Sequence, residues 1–204
     1  MRSGKADGRF VSPDVWVMAR PGPAFAALAG RVTQNSLWQA FRRPLLVAVV
    51  LGCVTSLITF PGITLRLAGP AALSWSFVPL AEVLGLAVAC AGEGARVGFG
   101  RKVDLFFMGY LPWLLWLTGI ATTFSFLSTA RAFALLDWLW LGWAGAIVIA
   151  WSAWIDFCFF RSVARHSRGE ALGRLVLQRV ISWSLILFIF SSGAVLPGIG
   201  GLRR

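Results

Sequence analysis

Charged residues are scarce in this sequence. Only 13% of the 204 residues are Asp, Glu, Lys or Arg, about half the share in an average soluble domain. A soluble fold of this length needs far more polar surface, so the composition excludes an ordinary soluble domain. Because 58% of the residues are hydrophobic and the mean hydropathy is +0.76, the sequence predicts one membrane domain, preceded by a polar N-terminal segment at residues 1–23.

Cysteine and histidine are also few. The cysteines form no Cys-x-x-Cys pair, and each lies in or beside an apolar run; they are Cys53, Cys90 and Cys158. An odd number of cysteines without a pairing pattern argues against a disulfide framework. The single His166 has no neighbouring cysteines or histidines at the spacing of a structural zinc site. The sequence therefore predicts neither a metal site nor another cofactor.

Catalytic motifs are missing as well. The sequence has no Gly-x-Ser-x-Gly motif, no His-Glu-x-x-His motif and no Gly-x4-Gly-Lys phosphate-binding loop. The glycine-rich stretch at 91–100 lacks the flanking strand and helix of a phosphate-binding loop, so it indicates a flexible cytoplasmic turn. Asp137 and Asp156 are too far apart on one predicted helix to form a catalytic pair. We therefore expect that the protein is not an enzyme.

Long apolar runs, by contrast, fill most of the sequence. The clearest covers residues 180–202 and contains no Lys, Arg, Asp or Glu. At ~1.5 Å per residue, such a run is long enough to cross the ~30 Å hydrocarbon core of a bilayer as a helix. Five such runs predict a transmembrane domain over residues 44–202, with spans at about 45–65, 71–92, 105–128, 133–155 and 175–196.

The basic residues between these spans predict the orientation. Fifteen of the 19 Lys and Arg residues lie on one set of alternating segments and four on the other. Under the positive-inside rule this places the N-terminus in the cytoplasm and the C-terminus outside, in the cell inner (plasma) membrane. The net charge of +11 thus indicates contact with anionic lipid, not nucleic acid. Candidate lipid-contacting residues after the fourth span are Arg161, Arg165 and Arg168.

Residues 24–43 have the pattern of an amphipathic helix. Apolar residues lie on one side and arginines lie off it; the apolar set is Phe25, Leu28, Ala29 and Val32, extended by Trp38 and Phe41, and the arginines are Arg31, Arg42 and Arg43. This pattern predicts an interfacial helix with its arginines on anionic lipid. A helix packed on the protein's own cytoplasmic face fits equally, because amphipathicity alone does not separate the two. The expected fold is all-α: a polytopic membrane protein with five transmembrane helices preceded by an amphipathic interfacial helix.

Glu82 lies near the centre of the second predicted span, ~15 Å from either interface by helical rise. An ionised group at that depth costs ~3 kcal/mol or more, so Glu82 should face the bundle, find a partner or stay protonated. It could form a proton or cation site, or a polar lock between helices. The structural alternative is a protonated Glu82 bonded to Ser, Thr or the backbone. Nearer the inner surface, we expect Asp156 to reach headgroups or Arg161, and Arg179 to snorkel towards the cytoplasm.

The order of these features resembles the YIP-type (Rab-interacting) membrane domain family in its bacterial form. The similarity covers residues 24–196. It lies in a helix ending at Arg42-Arg43-Pro44, five spans, a Gly-Tyr-Leu-Pro entry to the third span within 104–112, and a Trp-rich fourth span followed by an Arg-rich loop. The resemblance implies a non-enzymatic scaffold or membrane-organising role.

Two function hypotheses follow from the sequence. The first is a non-catalytic scaffold or accessory subunit of the inner membrane that acts through helix packing and lipid contact. Its partners would be membrane lipids and either other membrane proteins or a second copy of the chain. The second is a small transporter or channel component that uses Glu82 as its intramembrane charge. The sequence has no evident inverted repeat, which weighs against a self-contained carrier.

Overall fold

The computed structural model describes residues 12–30, 37–59, 65–92, 97–126 and 138–192. Its helices, in chain order, are α1 (Pro13–Ala19), α2 (Pro21–Ala29), α3 (Leu37–Thr59), α4 (Leu65–Trp75), α5 (Phe77–Ala89), α6 (Phe99–Met108), α7 (Leu111–Phe126), α8 (Trp138–Ser162) and α9 (Arg168–Ser191). These residues contain no strand, which confirms the all-α prediction for the described part of the chain.

Within the described ranges, three segments are long and apolar enough to cross a membrane: Gly69–Ala89, Gly142–Ser162 and Arg168–Ser191. A fourth is the pair Phe99–Met108 and Leu111–Thr123, which is bent by 46°, if the pair counts as one span. The described part of the chain therefore has three to four helices that could span a membrane, which is compatible with a multi-pass membrane protein. These segments overlap the second to fifth predicted spans.

Residues 45–59 of the first predicted span lie in α3, which begins well before them, whereas residues 60–64 lie outside the described residues. The sequence placed a boundary between an interfacial helix and the first span at Pro44, whereas α3 runs from Leu37 through Pro44 to Thr59. Pro44 leaves the Ala40 carbonyl without its helical partner, a loss that helices of a membrane bundle tolerate. Arg42 and Arg43 therefore belong to the helix that contains residues 45–59 of the first predicted span, and residues 37–43 are not part of a separate helix that ends at Arg43.

The short N-terminal helices pack on the protein itself. Ser12 caps α1 by accepting a hydrogen bond from the Val15 N–H at 3.4 Å, and Pro13 occupies the first turn. In α2, Phe25 and Leu28 are buried, and the Phe25 ring meets the Phe159 ring edge-on at 5.7 Å. The apolar face of α2 thus contacts α8, which favours a helix packed on the protein over an interfacial one.

Phenylalanines from α6 and α8 continue this core. The ring centroids of Phe106 and Phe159 are 5.5 Å apart, and those of Phe159 and Phe160 are 5.3 Å apart, both edge-to-face. Such pairs contribute about 0.5–1.5 kcal/mol each beyond the burial of their area. This cluster anchors the C-terminal half of α8, which carries Asp156.

Close contact of α5 with α9 places Glu82 inside the bundle. The two helices approach at Gly85, where an added Cβ atom would lie 2.9 Å from the Gln178 carbonyl oxygen. Upstream, the chain breaks at Ser76 between α4 and α5, and Pro79 falls in the first turn of α5, where a missing N–H leaves no carbonyl of that helix unpaired. A small residue at 85 thus brings the Glu82 turn against α9.

Candidate functional site

Glu82 faces the interior of the bundle. Its residue is only 4% exposed, and its carboxylate accepts a hydrogen bond from the Gln178 side-chain amide on α9. The Arg179 Nη1 atom lies 4.0 Å from Glu82 Oε1. Of the three outcomes expected for a carboxylate at this depth, the structure shows a Glu82 that faces the bundle and has partners.

Arg179 joins two carboxylates from two other helices. Besides Glu82 on α5, it forms an ion pair with Asp156 on α8, whose residue is 2% exposed. The expectations for this pair are corrected: Asp156 does not turn to Arg161, which is exposed, and Arg179 does not snorkel away from the bundle. A snorkelling Arg179 would leave two buried carboxylates unpaired, whereas the inward position stabilises both.

A second layer of polar side chains surrounds this set. Gln178 and Ser182 are fully buried one turn apart on α9, and Gln178 Nε2 donates to Ser182 Oγ at 3.1 Å. Ser182 Oγ donates in turn to the Ala81 carbonyl at 3.3 Å. Arg179 Nη2 donates to Ser152 Oγ at 3.4 Å. Hydrogen bonds therefore fix the orientation of each charged group and tie α5, α8 and α9 together.

The charges of this set do not cancel. With both carboxylates ionised, Glu82, Asp156 and Arg179 carry a net charge of −1. The Arg179 guanidinium is closer to Asp156, so Glu82 is the less neutralised carboxylate. The excess negative charge therefore lies on the side of Glu82.

Glu82 and Arg179 line a cavity of about 410 Å³ between α3, α4, α5, α7 and α9. Most of its wall is apolar or aromatic, and three tryptophans take part: Trp75, Trp113 and Trp183. The residues are far apart in the sequence and come together only because these five helices converge. The arrangement can hold a molecule with an apolar body next to a charged group.

Tyr110 adds a polar group to the same wall. It lies between α6 and α7 and is 9% exposed, and its hydroxyl has no hydrogen-bond partner among the described residues although Glu82 is close. Sequence reasoning used Tyr110 only as part of the Gly-Tyr-Leu-Pro segment. A polar hydroxyl between two apolar helical stretches is the signal that could have identified it.

A second buried charge cluster joins α1, α3 and α6. Asp104 is fully buried and accepts hydrogen bonds from three arginines, at 2.9 Å from Arg42 Nη2, 2.8 Å from Arg43 Nε and 2.7 Å from Arg101 Nη1. Arg43 also pairs with Asp14 on α1. Both arginines therefore neutralise a buried aspartate, and because the Arg42 side chain is still 42% exposed, the predicted contact of this pair with lipid stays a prediction.

The remaining predicted lipid-contacting residues lie on the surface where the structure describes them. Trp38 is 65% exposed, and the side chains of Arg161, Arg165 and Arg168 are exposed around the turn between α8 and α9. Arg31 lies outside the described residues. The predicted contact of these residues with lipid therefore stays a prediction.

Among the described residues, no group of three or more His, Cys, Asp or Glu side chains is placed to hold a metal ion. Comparisons of the chain with protein-family models, with curated proteins and with solved structures found no match. The resemblance to the YIP-type family therefore stays a prediction that depends on the residue patterns alone.

Proposed function

We propose that this chain is a non-catalytic scaffold or accessory protein of the inner membrane, acting through helix packing and contact with lipid. The observation that carries the proposal is the pairing of the buried carboxylates with arginines. Each buried carboxylate in the described part of the chain is paired with an arginine from another helix: Glu82 and Asp156 with Arg179, and Asp104 with Arg42 and Arg43. Charges used in this way stabilise a fixed arrangement of helices.

The outer faces support the same role. Large apolar side chains are exposed along α8 at Trp143, Ile147 and Trp154, and along α9 at Leu187 and Phe188. In a bilayer such faces meet acyl chains without a polar group to satisfy, and they can equally pack against a helix of another protein. The scaffold would thus interact through its sides, with another membrane protein or a second copy of the chain.

The proposal includes five spans, with α3 as the first, a cytoplasmic N-terminus and an external C-terminus. The distribution of Lys and Arg favours this orientation. It places the exposed Arg161, Arg165 and Arg168 at the cytoplasmic surface, where anionic lipid attracts them. The resemblance to the YIP-type family is in accord with a membrane-organising role.

Photocrosslinking in intact membranes tests the scaffold role. A photoreactive amino acid at Leu187, which is exposed on α9, should give a discrete protein adduct that is retained at fixed stoichiometry in mild detergent. The same group at the fully buried Leu86 is the matched control and should crosslink only within the chain. Lipid adducts alone at Leu187, with a monomer in detergent, would contradict the proposal; an adduct with a second copy would support it.

A transporter or channel component is the second candidate, and the cavity next to Glu82 is the observation that favours it. In this case Glu82→Gln should abolish a pH-dependent flux in liposomes that contain the purified chain. Flux through wild-type protein, lost in this variant but kept in Glu170→Gln, would support transport. Liposomes without any flux would leave the scaffold as the stronger candidate.

A further inference from the structure

We propose that the cavity beside Glu82 binds a lipophilic monocation, an organic cation with apolar substituents. The volume of about 410 Å³ falls in the range of roughly 300–1,000 Å³ that small-molecule sites occupy. The site goes beyond the scaffold role and does not depend on it, because a protein that organises a membrane can bind such a ligand with or without moving it.

The net charge of the residues at the cavity favours a cationic ligand. Glu82 lines the cavity, and the set of Glu82, Asp156 and Arg179 has an excess of one negative charge when both carboxylates are ionised. Arg179 also lines the cavity, but its guanidinium donates hydrogen bonds to Asp156 and Ser152, which are not among the lining residues. A monocation brings the local charge to zero, whereas an anion would add to an excess that a low-dielectric site does not tolerate.

Aromatic rings select an organic cation over a small hydrated ion. The indoles of Trp75, Trp113 and Trp183 share the wall with Glu82. Indole is the side chain that attracts cations most strongly through its ring face, and the attraction increases when water is excluded. The rest of the wall is mainly aliphatic, from Val47, Leu51 and Leu117 among others, and this surface suits apolar substituents and not a shell of water.

Tyr110 places a second polar group beside Glu82 in the cavity wall. Its buried hydroxyl makes no hydrogen bond of normal geometry within the described residues, but it lies close to the Glu82 carboxylate. A polar group of a ligand would therefore meet the tyrosine oxygen and the carboxylate together. A bound protonated amine would donate to the tyrosine oxygen, and a bound water molecule would do the same in the absence of ligand.

Two ions of the same shape and opposite charge test the proposal. Tetraphenylphosphonium and tetraphenylborate are both large and apolar, so they differ mainly in sign. We expect the purified full chain in non-ionic detergent to bind tetraphenylphosphonium saturably, with an affinity about tenfold or more above that for tetraphenylborate. Equilibrium dialysis against empty micelles measures the difference. Equal binding of the two ions, or no saturable binding of the cation, would overturn the proposal.

Single substitutions test whether the ion binds in the cavity. Glu82→Gln keeps the shape of the side chain and should weaken cation binding about tenfold or more. Glu170→Gln removes the same charge from an exposed position at the start of α9 and should leave binding unchanged. Trp113→Leu, which leaves the charges intact, should also weaken cation binding. Wild-type affinity in both cavity variants would place the ion elsewhere and refute the assignment. If Glu82→Gln does not fold, the affinities of the two ions for the wild-type protein and for Trp113→Leu still test the proposal.

Discussion

Arg179 contacts carboxylates on two other helices, and both are buried. Removing one member of a buried ion pair is costly because the partner charge stays behind in a medium of low dielectric. Replacing all members by neutral groups of similar shape is much less costly. The arrangement therefore predicts that single and combined substitutions at this site will differ sharply in stability.

Arg179→Gln should lower the free energy of unfolding by about 3–5 kcal/mol, since it leaves Glu82 and Asp156 without their cation. Reversible unfolding in mixed detergent micelles measures the change. The combination of Arg179→Gln with Glu82→Gln and Asp156→Asn should recover most of the loss. Arg161→Gln, at an exposed position on α8, should change stability by about 0.5 kcal/mol or less. A loss in Arg179→Gln no larger than in that control would show that the ion bridge does not hold the helices.

The sequence indicated that Glu82 would need a partner but not which one. The depth of a residue follows from its position in an apolar run, and Glu82 is buried as that position predicts. Its partner depends on which faces of α5, α8 and α9 meet, and Gln178 is 96 residues away in the chain. Periodicity gave no preferred face for α5 and α8, because these two helices are apolar nearly all round. Arg179 was thus expected at the surface, and its bridging role emerges only from the packing.

At the level of the helices, the sequence likewise did not identify which residues of α3 and α6 would form ion pairs. Arg42 and Arg43 were expected on lipid because they end an amphipathic pattern before Pro44. Asp104, 62 residues from Arg42, is the buried group that binds both of them, and it had been placed only at the entry to a span. A basic pair at a helix start predicts a membrane boundary, but it does not reveal a buried aspartate that comes to it from a distant helix.

The contact between α5 and α9 gives the sharpest prediction for a helix pair. Gly85→Val should lower the free energy of unfolding by about 1–3 kcal/mol, because its side chain would overlap Ser182 and the Gln178 carbonyl oxygen and force the helices apart. Gly173→Ala on α9 is the matched control, with nothing within 4 Å of an added Cβ atom. The control should be neutral or more stable by up to about 1 kcal/mol, since alanine favours a helix. Equal stability of the two variants in detergent unfolding would show that this contact is loose.

Across the whole molecule, the number of spans decides where the two ends lie. Three to four described helices could cross a membrane, and the proposed five include α3 as well. An odd number of spans places the termini on opposite sides, and an even number places them on the same side. If α3 crosses, the basic residues divide 15 to 4 between the two sides of the membrane. Without that crossing, the seven basic residues before residue 44 would share a side with the sparsely charged segments, and the division would be only 11 to 8. The positive-inside rule therefore favours a crossing by α3.

Labelling of single cysteines with a membrane-impermeant maleimide tests this topology in a background where Cys53, Cys90 and Cys158 are replaced. We expect Arg203→Cys to react in intact spheroplasts, and Ser3→Cys and Arg165→Cys to react only in inverted membranes, since five spans place the last residues outside. Labelling after detergent treatment shows that each thiol is reactive. If the tail reacts from the same side as Arg165→Cys, the fifth crossing is absent. If Ser3→Cys reacts from the outside while Arg165→Cys reacts only from the inside, α3 does not span, and its arginine pair at Asp104 would then anchor a helix that enters the bundle without crossing the membrane.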